Sequence, residues 1–243
     1  MHKRIELFTF TYNDEDLLPF FLHHYAPLVD RMTIMDSGST DRTLEIIKIY
    51  QTCFNINVIQ TGLTWWDWDA GHIITCNIWR GSEYDLIMLP DVDEIFYRPD
   101  LRAFLDTNNF AIYQLEGYQM VSRTFPKPGT ALTDIKVGTP IRLYNKFTIF
   151  KPTADIRRIS NHEIAPTKEV ICRGQIKLLH YKFVGVDFLL KRAAAIKSRV
   201  PADSYCPGIK ANILKKYPGF VRTRAEYIQE TEDLLKRAKP VIS

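Results

Sequence analysis

The stretch LPDVDEIFY, residues 89–97, places Asp91, Asp93 and Glu94 within four positions, directly behind the apolar run Leu86-Ile87-Met88-Leu89. Carboxylates this close repel one another, and a buried one is costly unless something positive meets it. Either water solvates the cluster or a cation belongs there. Asp91 and Asp93 are spaced i, i+2, so in an extended segment both point to the same side. Two carboxylates on one side suit Mg2+ or Mn2+, which take one or two carboxylates together with substrate phosphates. The competing reading of DVDE is a solvated acidic turn that caps the helix beginning near Pro99.

Other segments carry residue types that can do chemistry. In WWDWDAGH, residues 65–72, tryptophans including Trp66 alternate with Asp67 and Asp69. Such a composition can stack on a sugar face or a base while the acids bind hydroxyls, or it can pin a loop to the core. Asn77 and Arg80 follow on the same segment, Arg80 equally readable as a surface charge. His162 and Glu163 lie in ISNHEIAP, and His180 lies at the end of the apolar stretch KLLHYKF. A single histidine after a strand is commonly a satisfied structural residue. No HExxH or CxxC spacing supports a structural zinc site. Lys191, Arg192, Lys197 and Arg199, then Lys215, Lys216, Arg222 and Arg224, make a basic C-terminal region. It fits a solvated face, a phosphate-binding lid hinged at Pro218-Gly219, or a contact with anionic lipid.

The elements that must position these residues follow from periodicity. Ile5–Thr11 reads as a buried strand, and Asn13-Asp14-Glu15-Asp16 opens a helix whose Leu17, Leu18, Phe21, Leu22 and Tyr25 share a face. Met32–Met35 is a second strand, and DSGSTDRT feeds a helix with Ser39 or Asp41 as N-cap. Asn57–Gln60 is a third strand, residues 70–80 a helix, and Asp85–Leu89 a fourth strand. Strands alternating with helices imply a mainly parallel sheet flanked by helices. In such sheets ligands bind outside the carboxyl ends of the strands. Thr11-Tyr12-Asn13, Asp36-Ser37-Gly38 and Asp91-Val92-Asp93-Glu94 each follow a strand, so the topology gathers them at one edge. After residue 107 the pattern becomes mixed. Ala111–Val121, Ile141–Phe150 and Ile176–Phe183 read as strands, Asp187–Ser198 as a helix, and Thr223 with Glu226 as the capping box of a last helix. The expectation is residues 1–107 as one half and 108–243 as a second, smaller mixed half packed on it in a single compact domain.

Composition sets bounds on this reading. The 243 residues are 46% hydrophobic and 25% charged, ordinary for a soluble globular chain with a sizeable core. A formal charge of +4 is too small to argue for nucleic acid. The four cysteines are widely spaced, which favours free thiols in a reducing cytoplasm over a disulfide framework. The N-terminus MHKRIELFTFTYNDED lacks an apolar signal stretch, and no segment approaches the ~20 apolar residues of a membrane helix. The expected location is cytoplasmic, with peripheral contact at the inner face of the membrane as the role open to the basic region.

The segments TYNDEDLLPFFLHHY, IMDSGSTDRTLEI and MLPDVDEIF resemble the nucleotide-binding half of GT-A glycosyltransferases, and among them family 2-like enzymes with the order N-E, D-x-x-S-x-D, D-x-D-E. The likeness covers about the first hundred residues and is weaker beyond them. It implies a Rossmann-like GT-A fold whose first half binds a nucleotide-sugar donor, UDP-linked, and whose second half binds a carbohydrate or glycolipid acceptor, as in cell-surface polysaccharide biosynthesis. It implies that Thr11, Tyr12, Asn13 and Asp36 contact the nucleoside and that Asp91 lies near the ribose or the metal. Asp93 and a late histidine, His180, would then hold Mn2+ or Mg2+. Glu163 would serve as general base, with Trp66, Asp69, Asn77 and His162 in substrate contacts, and transfer would be a single displacement with inversion. One departure stands out: many family members have a second aspartate where this chain has Ser37, so the base is less defined. A nucleotide-sugar-binding or scaffold protein without turnover is the alternative. A nucleotidyltransferase would need a Gly-rich, basic loop after the first strand, where TYNDED is acidic.

Overall fold

The computed structural model describes residues 2–62, 68–157, 163–165, 167–199 and 222–242. The chain divides into two compact units, both discontinuous in sequence. The first comprises residues 1–62, 68–118 and 140–180, and the second 63–67, 119–139 and 181–243.

In the first unit the chain alternates β1 (Ile5–Thr11), α1 (Leu18–Tyr25), β2 (Arg31–Asp36), α2 (Thr43–Gln51), β3 (Ile56–Gln60), α3 (Trp68–Asn77) and β4 (Leu86–Met88). Then come β5 (Glu94–Tyr97), α4 (Leu101–Thr107), β6 (Ile112–Ser122), β8 (Ile149–Phe150) and β9 (Ile171–Val184), with β7 (Val137–Pro140) between β6 and β8. The strand order within this unit is β3-β2-β1-β4-β8-β6. Strands β1 to β4 are parallel neighbours, whereas β8 pairs antiparallel with both β4 and β6. β5 lies off this path, antiparallel to β9. The fold is therefore mixed α/β with a parallel half and an antiparallel flank.

β1 is buried at six of its seven positions, the pattern of a strand covered on both faces. Proline in its first turn pre-sets the backbone of α1, and Leu18, Phe21, Leu22 and Tyr25 form its buried stripe. Tyr50 of α2 donates to the Pro19 carbonyl, which sets α2 beside α1. Helix α1 starts at Leu18, later than the acidic run suggested, because Leu17 and Leu18 donate their amides to the Asp14 carbonyl in a preceding turn. Around Trp79, which is 1% exposed, Phe8, Met35, Ile87, Leu89, Phe147 and Phe150 form the core that supports the sheet.

Segment 141–150 departs from the sequence expectation of a strand. It is a 3-10 turn at Arg142–Tyr144 followed by only the two-residue strand β8. The physical reason is Gly117 in β6. A Cβ there would collide with Tyr144, so the missing side chain lets the 141–145 loop press onto the strand. Gly117 donates its amide to Asn145 Oδ1 (2.8 Å) and accepts from the Ile141 amide (2.9 Å), bonds that replace a regular ladder.

In the second unit β7 pairs antiparallel with β10 (Lys239–Pro240). Helices α5 (Val186–Arg199) and α6 (Arg224–Arg237) contribute Leu189, Tyr227 and Leu234 to a cluster with Val121 and Phe183. The expected capping box forms: Thr223 Oγ1 accepts from the Glu226 amide (3.2 Å), and Glu226 accepts from the Thr223 amide (2.6 Å). Among the described residues no helix is long and apolar enough to cross a membrane.

Candidate functional site

β1 and β2 end in register, Thr11 opposite Asp36, so their loops leave the sheet side by side. Asp36 is fully buried, and its Oδ2 accepts from the amides of Gly38 (3.0 Å) and Ser39 (3.1 Å). Gly38 has φ of 82°, which this tight turn requires and glycine adopts without strain. Asn13, at φ of 50°, reaches across. Its Oδ1 accepts from the amides of Thr40 (2.7 Å) and Asp41 (3.3 Å), while its own amide donates to Ser39 Oγ (3.0 Å). Thr11 Oγ1 and the Tyr12 amide both donate to Asp14 Oδ2, at 3.1 and 3.2 Å. Thr11, Tyr12, Asn13 and Asp36 thus belong to one network that fixes two adjoining loops. Within it, the Asp36 carboxylate holds the shape of its own loop. The N-cap of α2 is Arg42, without a side-chain cap bond, and neither Ser39 nor Asp41; Asp41, one residue earlier, accepts from the Thr43 amide at 2.9 Å.

The acidic cluster follows β4 at the same carboxyl-end edge, since β4 runs parallel to β1. It is a turn, not an extended segment. The Glu94 amide donates to the Asp91 carbonyl (2.9 Å), and the Asp91 amide donates to Glu94 Oε2 (3.1 Å). The i, i+2 argument for Asp91 and Asp93 sharing a side therefore does not apply. Their environments differ: the Asp91 side chain is 53% exposed, that of Asp93 8%. Asp93 Oδ2 faces His180 Nε2 at 3.4 Å, because Glu94 and His180 are directly opposite in the β5–β9 pair. The Tyr144 ring packs on the His180 imidazole, centroids 4.4 Å apart. Burial, with Asp93 nearby, raises the Tyr144 phenol above its ordinary range.

The positive charge that the cluster demands is Lys146. Its Nζ lies 2.8 Å from Asp91 Oδ2 and 2.5 Å from Glu94 Oε1, with the lysine and glutamate side chains almost wholly buried. Burial alone would lower the Lys146 pKa, but Asp91 and Glu94 outweigh it and hold the ammonium protonated well above the usual lysine range. Burial pushes the Glu94 carboxyl up to about 7 against the opposing pull of Lys146. Two anchors on β6 deliver the lysine: the Gly117 contacts of its loop, and the Leu115 amide donating to the Lys146 carbonyl (2.9 Å).

Sequence reasoning did not single out Lys146, Tyr144 or Gly117. Two signals were present: a lysine abutting the mostly apolar stretch Phe147–Phe150, and a glycine inside a strand-like stretch, which marks close backbone approach. Asn77 ends α3, donating to the Ile73 carbonyl (2.8 Å) and accepting from Arg80 (3.0 Å), whose guanidinium lies over Trp79. Asp69 is on α3, its side chain outside the described residues. Trp66 and His162 lie outside the described residues. Glu163 is exposed, one residue before the bridge at Ile164.

Among the described residues no three His, Cys, Asp or Glu side chains form a ready-made metal cage. Asp93 and His180 offer one carboxylate and one imidazole 3.4 Å apart. That donor pair fits a divalent ion whose other positions are filled by phosphate oxygens and water.

These features define a mixed α/β protein with a polar edge built from two interlocked loops and an acidic turn. No protein-family model and no curated protein sequence matches the chain. Among solved structures it is similar to S. aureus TarS, at 15% identity and a TM-score of 0.48, covering 88% of this chain and 42% of that one. Similarity extends to S. aureus TarS 1-349 in complex with UDP (14%, 0.43, 91% and 73%). Glucosyl-3-phosphoglycerate synthase from Mycobacterium tuberculosis, in complex with Mn2+, UDP and glucosyl-3-phosphoglycerate, is a third (19%, 0.32, 48% and 44%). The chain thus spans less than half the length of the first and third of these.

Proposed function

We propose that the chain is a metal-dependent glycosyltransferase of GT-A fold, which moves a sugar from a nucleotide-diphosphate sugar, UDP-linked, to a saccharide or lipid-linked acceptor with inversion. The supporting observation is that the Asn13–Asp36 loop network and the Asp93–His180 pair of the acidic turn follow neighbouring parallel strands at the same carboxyl-end edge of the sheet. Ligands of parallel α/β sheets bind at that edge.

Under this reading Thr11, Tyr12, Asn13 and Asp36 frame the nucleoside, Asp36 acting through the loop it shapes. Asp91 would lie near the ribose or the ion, while Asp93 and His180 would hold Mn2+ or Mg2+. When bound, the ion would supply Lewis-acid stabilisation of charge on the departing diphosphate. Glu163 takes the proton of the acceptor hydroxyl as that oxygen attacks the anomeric carbon. Trp66, Asp69, Asn77 and His162 complete the substrate contacts, and residues 108–243 supply the acceptor side.

The deciding experiment incubates the protein with Mn2+ and a panel of nucleotide sugars and measures released nucleoside diphosphate. Slow hydrolysis or transfer, abolished in Asp93→Asn with the fold intact, is expected. Absence of turnover, together with no thermal shift from any nucleotide with or without metal, overturns the reading.

A further inference from the structure

Three carboxylates and one ammonium meet in the turn after β4, and the ammonium is buried. Lys146 is 6% exposed and Glu94 1%, so their contact is sealed from water. A lysine serving only to pack could leave its charged end in solvent, as long side chains usually do. Here the charged end is driven inward by two anchors on β6 and set between two acids.

We propose that Lys146 is the fixed countercharge of the acidic turn, a positioning residue that pairs with both Asp91 and Glu94 and leaves Asp93 with His180 to take a single divalent cation. Its first part stands on geometry; its second rests on the glycosyl-transfer reading. Lys146 bridges Asp91 Oδ2 and Glu94 Oε1, so its ammonium fills the space between those two carboxylates. It also couples the two residues whose mutual bonds close the turn, so it sets where Asp93 points.

The test compares wild type, Lys146→Met and the double variant Lys146→Met/Glu94→Gln by thermal melting, with and without millimolar Mn2+ and without nucleotide. Breaking a buried pair from one side leaves an uncompensated charge, so Lys146→Met should lower Tm by on the order of 10 °C. Removing the orphaned charge in the double variant should recover more than half of that loss. Mn2+ should raise the Tm of Lys146→Met well beyond its effect on wild type, since the ion takes the place of the ammonium. That extra gain should shrink in the double variant. If Lys146→Met does not fold, a folded double variant supports the proposal and an equally unfolded one overturns it. Equal Mn2+ shifts in wild type and Lys146→Met also overturn it, reducing the lysine to packing. Donor hydrolysis by wild type is measured separately. Its absence counts against the glycosyl-transfer reading while leaving the nucleotide-free melts to decide the countercharge.

Discussion

His180 stands directly opposite Glu94 in the β5–β9 pair, yet its imidazole meets the carboxylate of the preceding residue, Asp93, at 3.4 Å. The strand pairing thus places the histidine and the acidic turn in fixed register. If this pair holds a divalent ion, His180→Ala should weaken Mn2+ binding in the presence of UDP by about tenfold or more, as loss of a metal partner does. Calorimetric titration of Mn2+ into the UDP-loaded protein reads this directly. An unchanged Kd removes His180 from the metal site.

Gly117 makes a second specific prediction. Any Cβ there meets the backbone and Cβ of Tyr144, and neither can swing aside as a flexible side-chain tip could. Gly117→Ala should therefore destabilise the protein by roughly 1–3 kcal/mol through overpacking. It should also pull Lys146 from the acidic turn, because both hang on the same loop. Urea unfolding gives the stability change. A midpoint within error of wild type would show that the 141–145 loop is not pinned at this glycine.

Much of the parallel half was legible from alternation alone. The strands read at Ile5–Thr11 and Asn57–Gln60, the second beginning one residue earlier in the fold, and the helix on Leu18, Phe21, Leu22 and Tyr25 are local patterns, and local patterns survive into the fold. The edge at which Thr11, Asp36 and Asp91 gather follows from parallel connectivity. The acidic turn was legible as an electrostatic problem, not as its solution. Its partner lies 55 positions away in Lys146, and the segment carrying that lysine looked like a strand because apolar residues follow it. What breaks the strand is the absent side chain of Gly117, a long-range steric fact that no local periodicity encodes.

Asn13 is the described non-glycine residue with positive φ, and it ties two loops with one side-chain oxygen. Asn13→Ala keeps the left-handed backbone with its cost of about 1–2 kcal/mol and loses both acceptor bonds, each worth about 1 kcal/mol. Asn13→Gly relieves the backbone cost but still loses the bonds. Stability should therefore order wild type, then Gly, then Ala, in chemical denaturation. If the loops frame a nucleoside, UDP affinity should fall in both variants. Equal stability of the Gly and Ala variants would show that the backbone conformation is not a constraint there.

His24 links the site to pH through folding. Burial holds its imidazole down to about 4 from an ordinary 6.5, outweighing the bond its Nε2 makes to the Phe96 carbonyl at 3.2 Å. Phe96 belongs to β5, the strand that leaves the acidic turn. Below pH 6.5 the unfolded chain binds a proton at His24 that the native state refuses until about pH 4. Stability contributed here is complete above 6.5 and is lost as pH falls towards 4, by up to about 3 kcal/mol. His24→Gln keeps a donor for the Phe96 carbonyl but cannot titrate, so its stability should decline less between those pH values. Urea midpoints of the two proteins, measured across that window, should converge as the pH is lowered, and parallel curves would show that His24 is not the group that couples acid to unfolding.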